Sequence, residues 1–166
     1  MPAILLVAYI PFVVGGIVKL GETPDGAITI DVTGQRFSWE FAYPNPDGDE
    51  PVLAPPGESG AELHIPVGQD IEVTLNSIDV IHSFWVPKLA GKTDVVPGRV
   101  NRMWFNADEA GTYAAQCAEF CGTGHGVMRF TVIAESQANY DAYISGLVAA
   151  QDGNGDRDRS LQTQGR

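Results

Sequence analysis

The sequence predicts an all-β domain, a sandwich or barrel of short strands, set between an apolar N-terminal segment and a C-terminal helix. Three observations carry this. Seven runs of alternating apolar and polar residues crowd between residues 27 and 135, Gly- and Pro-rich breakers separate them, and a helical period appears only beyond residue 135. At 166 residues and 44% hydrophobic content the chain can bury one ordinary core. No repeat period divides it.

The first element is "MPAILLVAYIPFVVGGIV", 18 residues without a charge before Lys19. That is close to the roughly 20 apolar residues a membrane span needs. A secretory signal has basic residues ahead of its apolar run, and Met1 to Ala3 carries none. A membrane anchor over 1–20 is therefore expected. With no preceding basic residues, charge does not orient it.

The strands follow in order: "AITIDVTG" (27–34), "RFSWEFAY" (36–43), "AELHIPVG" (61–68), "DIEVTLNS" (70–77), "RVNRMWFNA" (99–107), "GTYAAQC" (111–117) and "VMRFTVIAE" (127–135). Seven of them in about a hundred residues suggest an antiparallel sandwich or barrel filling 27–135. "PNPDGDEP" (44–51) and "APPGESG" (54–60) are too rich in Pro and Gly to be other than loops. In 136–151, Tyr140, Tyr143, Ile144, Leu147 and Val148 share one face of a helix that packs on the sandwich. Residues 152–166 have almost no apolar content and are expected to form a disordered tail.

Lys+Arg 10 against Asp+Glu 21 leaves a net charge of −11. Such an excess of carboxylates repels a phosphate backbone, which argues against nucleic acid as a partner. A basic protein partner gains on-rate from the opposite charge.

The chemistry concentrates in "CAEFCGTGHGVM" (117–128), which holds both cysteines of the chain, Cys117 and Cys121, with His125 and Met128 close behind. Thiolate, imidazole and thioether are the donors that copper electron-transfer sites use. Zinc prefers four Cys or His donors and has no use for a weak Met. Two strands bracket the loop, so its ligands hang from a rigid frame. A single-copper blue site takes one Cys, two His and a weak Met, which leaves the second cysteine unexplained. Two thiolates bridging two coppers would explain it, and would call for a second histidine. His82, in "DVIHSFWVP" just after a strand, and His64, mid-strand, are the candidates, with His64 reading as an ordinary half-buried histidine. Two other readings stay open on these residues: a thiol-redox copper chaperone, which needs a βαβ frame, and a structural disulfide between Cys117 and Cys121.

The stretch "DVIHSFWVPKLAGKTDVVPGRVNRMWFNADEAGTYAAQCAEFCGTGHGVM" resembles the copper-binding domain of subunit II of haem-copper cytochrome c oxidases. The likeness runs from about Ile28 to Ile133 and centres on Cys-x-Glu-x-Cys-x-x-x-His-x-x-Met with an upstream Asp-Val-Ile-His. It implies a cupredoxin-like Greek-key barrel in which Cys117 and Cys121 bridge two copper ions. His82 and His125 would terminate the pair, with Met128 and the carbonyl of Glu119 as axial donors. The Glu119 side chain would reach a magnesium ion shared with subunit I, and Asp79 would lie where cytochrome c docks.

The resemblance further implies a subunit that carries electrons from cytochrome c, or a similar basic donor, to haem in subunit I, where oxygen is reduced. The copper domain would then stand on the extracytoplasmic, periplasmic side of a bacterial cell membrane beside the other oxidase subunits. Two departures are visible. The aromatic stretch over the copper site, Gly-His-Gln-Trp-Tyr-Trp in most members, is "GQRFSWEF" here, with Phe37 at the position where electrons enter and Trp39 at the second. Most members also have two membrane helices ahead of the domain, and this chain has at most one. A nearer alternative is the copper domain of nitrous oxide reductase, which has a similar loop but usually Trp at the position of Glu119. No Cys-x-x-Cys-His occurs in this sequence, so a fused cytochrome c is not expected within it.

Overall fold

The computed structural model describes the backbone of residues 2–55 and 60–164, and their side chains except those of Pro2, Leu20 and 154–164. Of the loop expected over 54–60, residues 56–59 lie outside the described residues. The chain opens with helix α1 (Pro2–Gly21), followed by β1 (Ile28–Gln35), β2 (Ser38–Tyr43), β3 (Val52–Leu53), β4 (Ala61–Pro66) and β5 (Ile71–Ser77). Next come β6 (His82–Trp85), β7 (Lys92–Val95), β8 (Asn101–Phe105), β9 (Gly111–Cys117), a 3₁₀ turn (His125–Val127), β10 (Arg129–Glu135) and helix α2 (Gln137–Gln164).

Two five-stranded sheets face each other, in the orders β3-β2-β1-β5-β8 and β4-β10-β9-β6-β7. This is the expected sandwich, with one difference. Each sheet contains one parallel pair, β1 with β5 and β4 with β10. Between β1 and β5 the chain leaves the first sheet to form β4 in the second, and that crossover returns β5 alongside β1 in the same direction. All seven expected strands are present; β3, β6 and β7 are additional.

Alternation places the core. On β1 it turns Ile30, Val32 and Gly34 inward, and on β2 Trp39, Phe41 and Tyr43. Phe130 of β10 sits among them, with ring centroids 4.7 Å from Phe84, 5.4 Å from Trp39 and 5.7 Å from Phe41. Each such side chain contributes about 1.5–3 kcal/mol by leaving water. The strand ends that carry the chemistry are anchored to this aromatic layer.

Helix α2 buries Tyr140 and Ile144 and lays Tyr143, Leu147 and Val148 against the sandwich, the face its periodicity predicts. It runs through Gln164, beyond the boundary expected at residue 151 and into the segment 152–166 expected to be a disordered tail. Extending a helix already nucleated and packed adds one hydrogen bond per residue, so polar sequence can continue it. The described side chains of α1, including Ile4, Leu5, Leu6, Val7, Phe12 and Ile17, are exposed. Among the described residues no helix is long and apolar enough to cross a membrane.

Candidate metal centre

Two backbone hydrogen bonds set the mouth of the cysteine loop. The Cys117 amide donates to the Met128 carbonyl at 2.9 Å, and the Ala118 amide to Ser83 at 2.9 Å. The loop therefore begins and ends on adjacent strands, β9 and β10, beside the start of β6, a further strand that His82 itself opens. Within it, the His125 amide donates to the Gly122 carbonyl at 3.1 Å and the Met128 amide to the His125 carbonyl at 3.3 Å. Gly122 takes φ +129°, a conformation L side chains rarely adopt, so glycine is required there.

This frame brings six donors together. The sulfurs of Cys117 and Cys121 are 3.9 Å apart. Nδ1 of His82 lies 3.9 Å from the Cys117 sulfur, and Nδ1 of His125 lies 3.7 Å from the Cys121 sulfur. Sδ of Met128 is 3.7 Å from the Cys121 sulfur, and the Glu119 carbonyl oxygen is 3.2 Å from that of Cys117. Each thiol thus has its own imidazole and, beside it, one weaker donor, the Glu119 carbonyl for Cys117 and the Met128 sulfur for Cys121. His82, Cys117, Cys121 and Met128 are buried, His125 is half-buried, and the Glu119 side chain is exposed while its carbonyl faces inward.

The sulfur separation is far beyond the roughly 2.05 Å of a disulfide, and both cysteines are free thiols. Burial, with the Cys117 sulfur beside it, pushes the Cys121 thiol up to about 11. A metal taken up here must displace that proton. The donors fit copper: three sulfurs, two imidazoles and a carbonyl form a soft and borderline set, and the buried Met128 sulfur has no role in a four-coordinate zinc site.

Asp79 lies against His82, only 21% of its side chain exposed. Its Oδ1 is 2.9 Å from Nε2 of His82, and its Oδ2 accepts from the Arg36 amide at 2.8 Å and from Arg36 Nε at 3.1 Å. Desolvation would raise this carboxyl, but the hydrogen bonds from His82, the Arg36 and Val80 amides and the Arg36 guanidinium hold it well below the usual carboxylate range. As a carboxylate it only accepts, so Nε2 of His82 carries the hydrogen and Nδ1 presents a lone pair towards Cys117. The residue expected at a docking surface is engaged on both oxygens within its own chain.

The two aromatics expected where electrons enter are placed differently from one another. Trp39 is only 4% exposed, because the alternation of β2 turns it inward with Phe41 and Tyr43, and its ring meets His82 edge-on at 6.0 Å. Phe37, at the turn between β1 and β2, is half-buried against Gly122 and Gly124. His64 belongs elsewhere, as its sequence context suggests, with Nδ1 2.7 Å from Glu135 and its ring stacked on Tyr143 at 3.8 Å. Sequence reasoning passed over Gly34, where an added Cβ would lie 3.1 Å from Cδ2 of His82. A glycine inside a strand pattern is the signal for such a close approach.

A metal domain of two packed sheets, with soft donors on one loop between adjacent strands, is what fold and site together define. Comparison with known proteins gives the family. Residues 57–136 match the family described as cytochrome c oxidase subunit II, periplasmic domain. The chain is 39% identical over 172 residues to cytochrome c oxidase subunit 2 of Alkalihalophilus pseudofirmus, covering 100% of this chain and 47% of that protein. It is 41% identical over 123 residues to the Thermostichus vulcanus subunit 2, covering 74% of this chain and 34% of that protein. The crystal structure of the periplasmic domain of subunit II (CoxB) from Bradyrhizobium japonicum superposes with a TM-score of 0.69 at 27% identity, covering 78% of this chain and 99% of that one. The chain belongs to the cytochrome c oxidase subunit II family, which implies a copper centre. It spans less than half the length of these two relatives. The rival reading of a structural disulfide fails, since Cys117 and Cys121 are both free, and no βαβ unit of the kind a thiol-redox chaperone needs occurs among the described residues.

Met128 tests the assignment of donors. Met128→Leu conserves volume in a fully buried position, so less than about 1.5 kcal/mol of stability should be lost. Copper should stay bound while the reduction potential rises, because loss of a weak donor disfavours the oxidised state. Metal analysis and a redox titration read both. Copper loss as complete as in cysteine variants would show that Met128 is a principal ligand instead.

Proposed function

We propose that this chain is the electron-transfer subunit of a respiratory cytochrome c oxidase, holding two copper ions. The carrying observation is the pairing of each buried thiol with its own imidazole, His82 with Cys117 and His125 with Cys121. A mononuclear site has no use for that second pair. Two coppers held by these residues would supply one-electron transfer. The chain's own residues keep the donors fixed through both states: the β-frame holds the thiols, Asp79 holds the His82 tautomer, and burial excludes water. The oxygen chemistry belongs to subunit I.

The test is reconstitution of the full chain with copper, followed by metal analysis and by visible and EPR spectra. Two coppers per chain, a purple oxidised form and an unpaired electron shared by both ions are expected. One copper per chain with a single-ion EPR pattern would overturn the reading.

Around this centre the proposal extends to partners. The exposed Glu119 side chain would contribute to a magnesium site shared with subunit I. Although the described part of α1 is not long and apolar enough to span a membrane, its exposed apolar side chains suit contact with one, with the copper domain on the periplasmic side. The donor is cytochrome c or a comparable basic protein, drawn by a net charge of −11 and delivering electrons near Phe37. Its transfer rate should fall as salt rises towards 0.1 M, where screening sets in beyond about 10 Å. A stopped-flow rate that stays flat across that range would exclude a steered basic donor.

A further inference from the structure

β1 and β2 are joined by two residues, Arg36 and Phe37, with Gln35 and Ser38 paired across the turn. Both touch the metal centre's supports. The amide and Nε of Arg36 reach Oδ2 of Asp79 at 2.8 and 3.1 Å, and Oδ1 of the same carboxylate is 2.9 Å from Nε2 of His82. The ring of Phe37 lies on the backbone of the ligand loop. A Cβ added to Gly122 would stand 3.2 Å from its Cε1 and Cζ, and one added to Gly124 would fall inside contact with its Cγ and Cδ2. Gly124 begins the 3₁₀ turn that carries His125, and its φ of −91° is open to any residue. Space for the ring, and not backbone conformation, is what calls for glycine there.

We infer that this turn is a clip that positions both imidazoles, Arg36 acting on His82 through Asp79 and Phe37 acting on His125 through Gly122 and Gly124. Arg36 and Phe37 are positioning residues. Neither is a ligand. The two histidines come from segments 43 residues apart in sequence, and the turn is one element that bears on both. Holding the His125 loop in place before metal arrives lowers the ordering cost of binding and keeps the ligand from moving when the charge changes. The inference rests on the copper reading for its purpose, but the contact itself can be tested without metal.

The experiment compares the parent chain, Phe37→Ala, Gly124→Ala and the double variant. In metal-free protein, hydrogen exchange of amides 122–127 should quicken roughly tenfold in Phe37→Ala, while amides of β4 and of α2 over 137–150 keep the parent rate. A general loss of stability would not spare those elements. After loading with copper ions, removal by a chelator should quicken by a similar factor, and the EPR hyperfine pattern should change. Gly124→Ala alone should disturb the loop by displacing the ring, and should add little once Phe37 is Ala, since the obstacle is gone. Exchange and release within twofold of the parent in Phe37→Ala, or independent additive effects of the two substitutions, would overturn the clip. If the parent takes up no copper, the proposed function fails, and the exchange data still decide whether the ring holds the loop.

Discussion

Replacing either Cys117 or Cys121 by Ser should abolish the dinuclear copper signal entirely. The two sulfurs stand 3.9 Å apart, each next to a different Nδ1, so either one alone leaves an imidazole facing no thiolate. Serine cannot substitute, because its hydroxyl is hard and stays protonated where the proposed centre calls for a thiolate. Both positions are buried, and a hydroxyl without a partner there costs about 1–3 kcal/mol. That is small enough for the domain to stay folded, and circular dichroism of the metal-free variants checks it. With the fold intact, visible absorption and EPR should show either no bound copper or a single-ion pattern. A Ser variant that kept two coppers and a shared electron would mean the thiols do not bridge.

How much of this could be read from the sequence depends on how local each feature is. The strands that alternate, such as β1 with Ile30 and Val32 inward, were visible because period two is a local property. β6 was not. Three of its four residues are buried in succession, so "HSFW" shows no alternation and takes its strand character from pairing with β7 and β9. β3 is two residues long inside a Pro-rich loop and exists only because β2 offers it an edge. Cys117, Cys121, His125 and Met128 were legible because they sit in one loop and donor type marks them; His82 was one of two candidate histidines, and the Glu119 carbonyl came only with the family resemblance.

The supports of the site were not legible, since they join segments far apart. Nothing local to Asp79 indicates that Arg36 and His82 will claim both of its oxygens. The inward placement of Trp39, by contrast, was available: Trp39, Phe41 and Tyr43 follow at intervals of two, and a strand that buries Phe41 buries its alternate neighbours as well. Family likeness grouped Trp39 with Phe37 in the aromatic stretch over the copper site, while the periodicity of this chain points it into the core. The periodicity describes this molecule, and leaves Phe37 as the aromatic of the pair at the site's edge.

Gly34→Val should be the most damaging change outside the ligands. Valine is at home in a strand, and Gly34 lies in β1 between Trp39 of β2 and Ser77 of β5, so backbone preference favours the substitution. Side-chain space opposes it. A Cβ alone would come within 3.1 Å of Cδ2 and 3.4 Å of Cγ of His82, and within 3.3 Å of Cζ3 of Trp39. The γ-methyls extend further into the same region. His82 has little freedom to retreat, being fully buried, held at Nε2 by Asp79 and flanked by Trp39. Its imidazole must therefore shift away from the Cys117 sulfur or break with Asp79. Overpacking of this kind costs about 1–3 kcal/mol of stability, and displacing a ligand's support typically lowers metal affinity roughly 10–100-fold. Urea unfolding and a copper competition titration separate the two losses. Gly34→Ala should fall between parent and Gly34→Val on both. If Gly34→Val binds copper as tightly as the parent with an unchanged EPR spectrum, His82 is free to move, and its close packing on β1 does not position it for the metal.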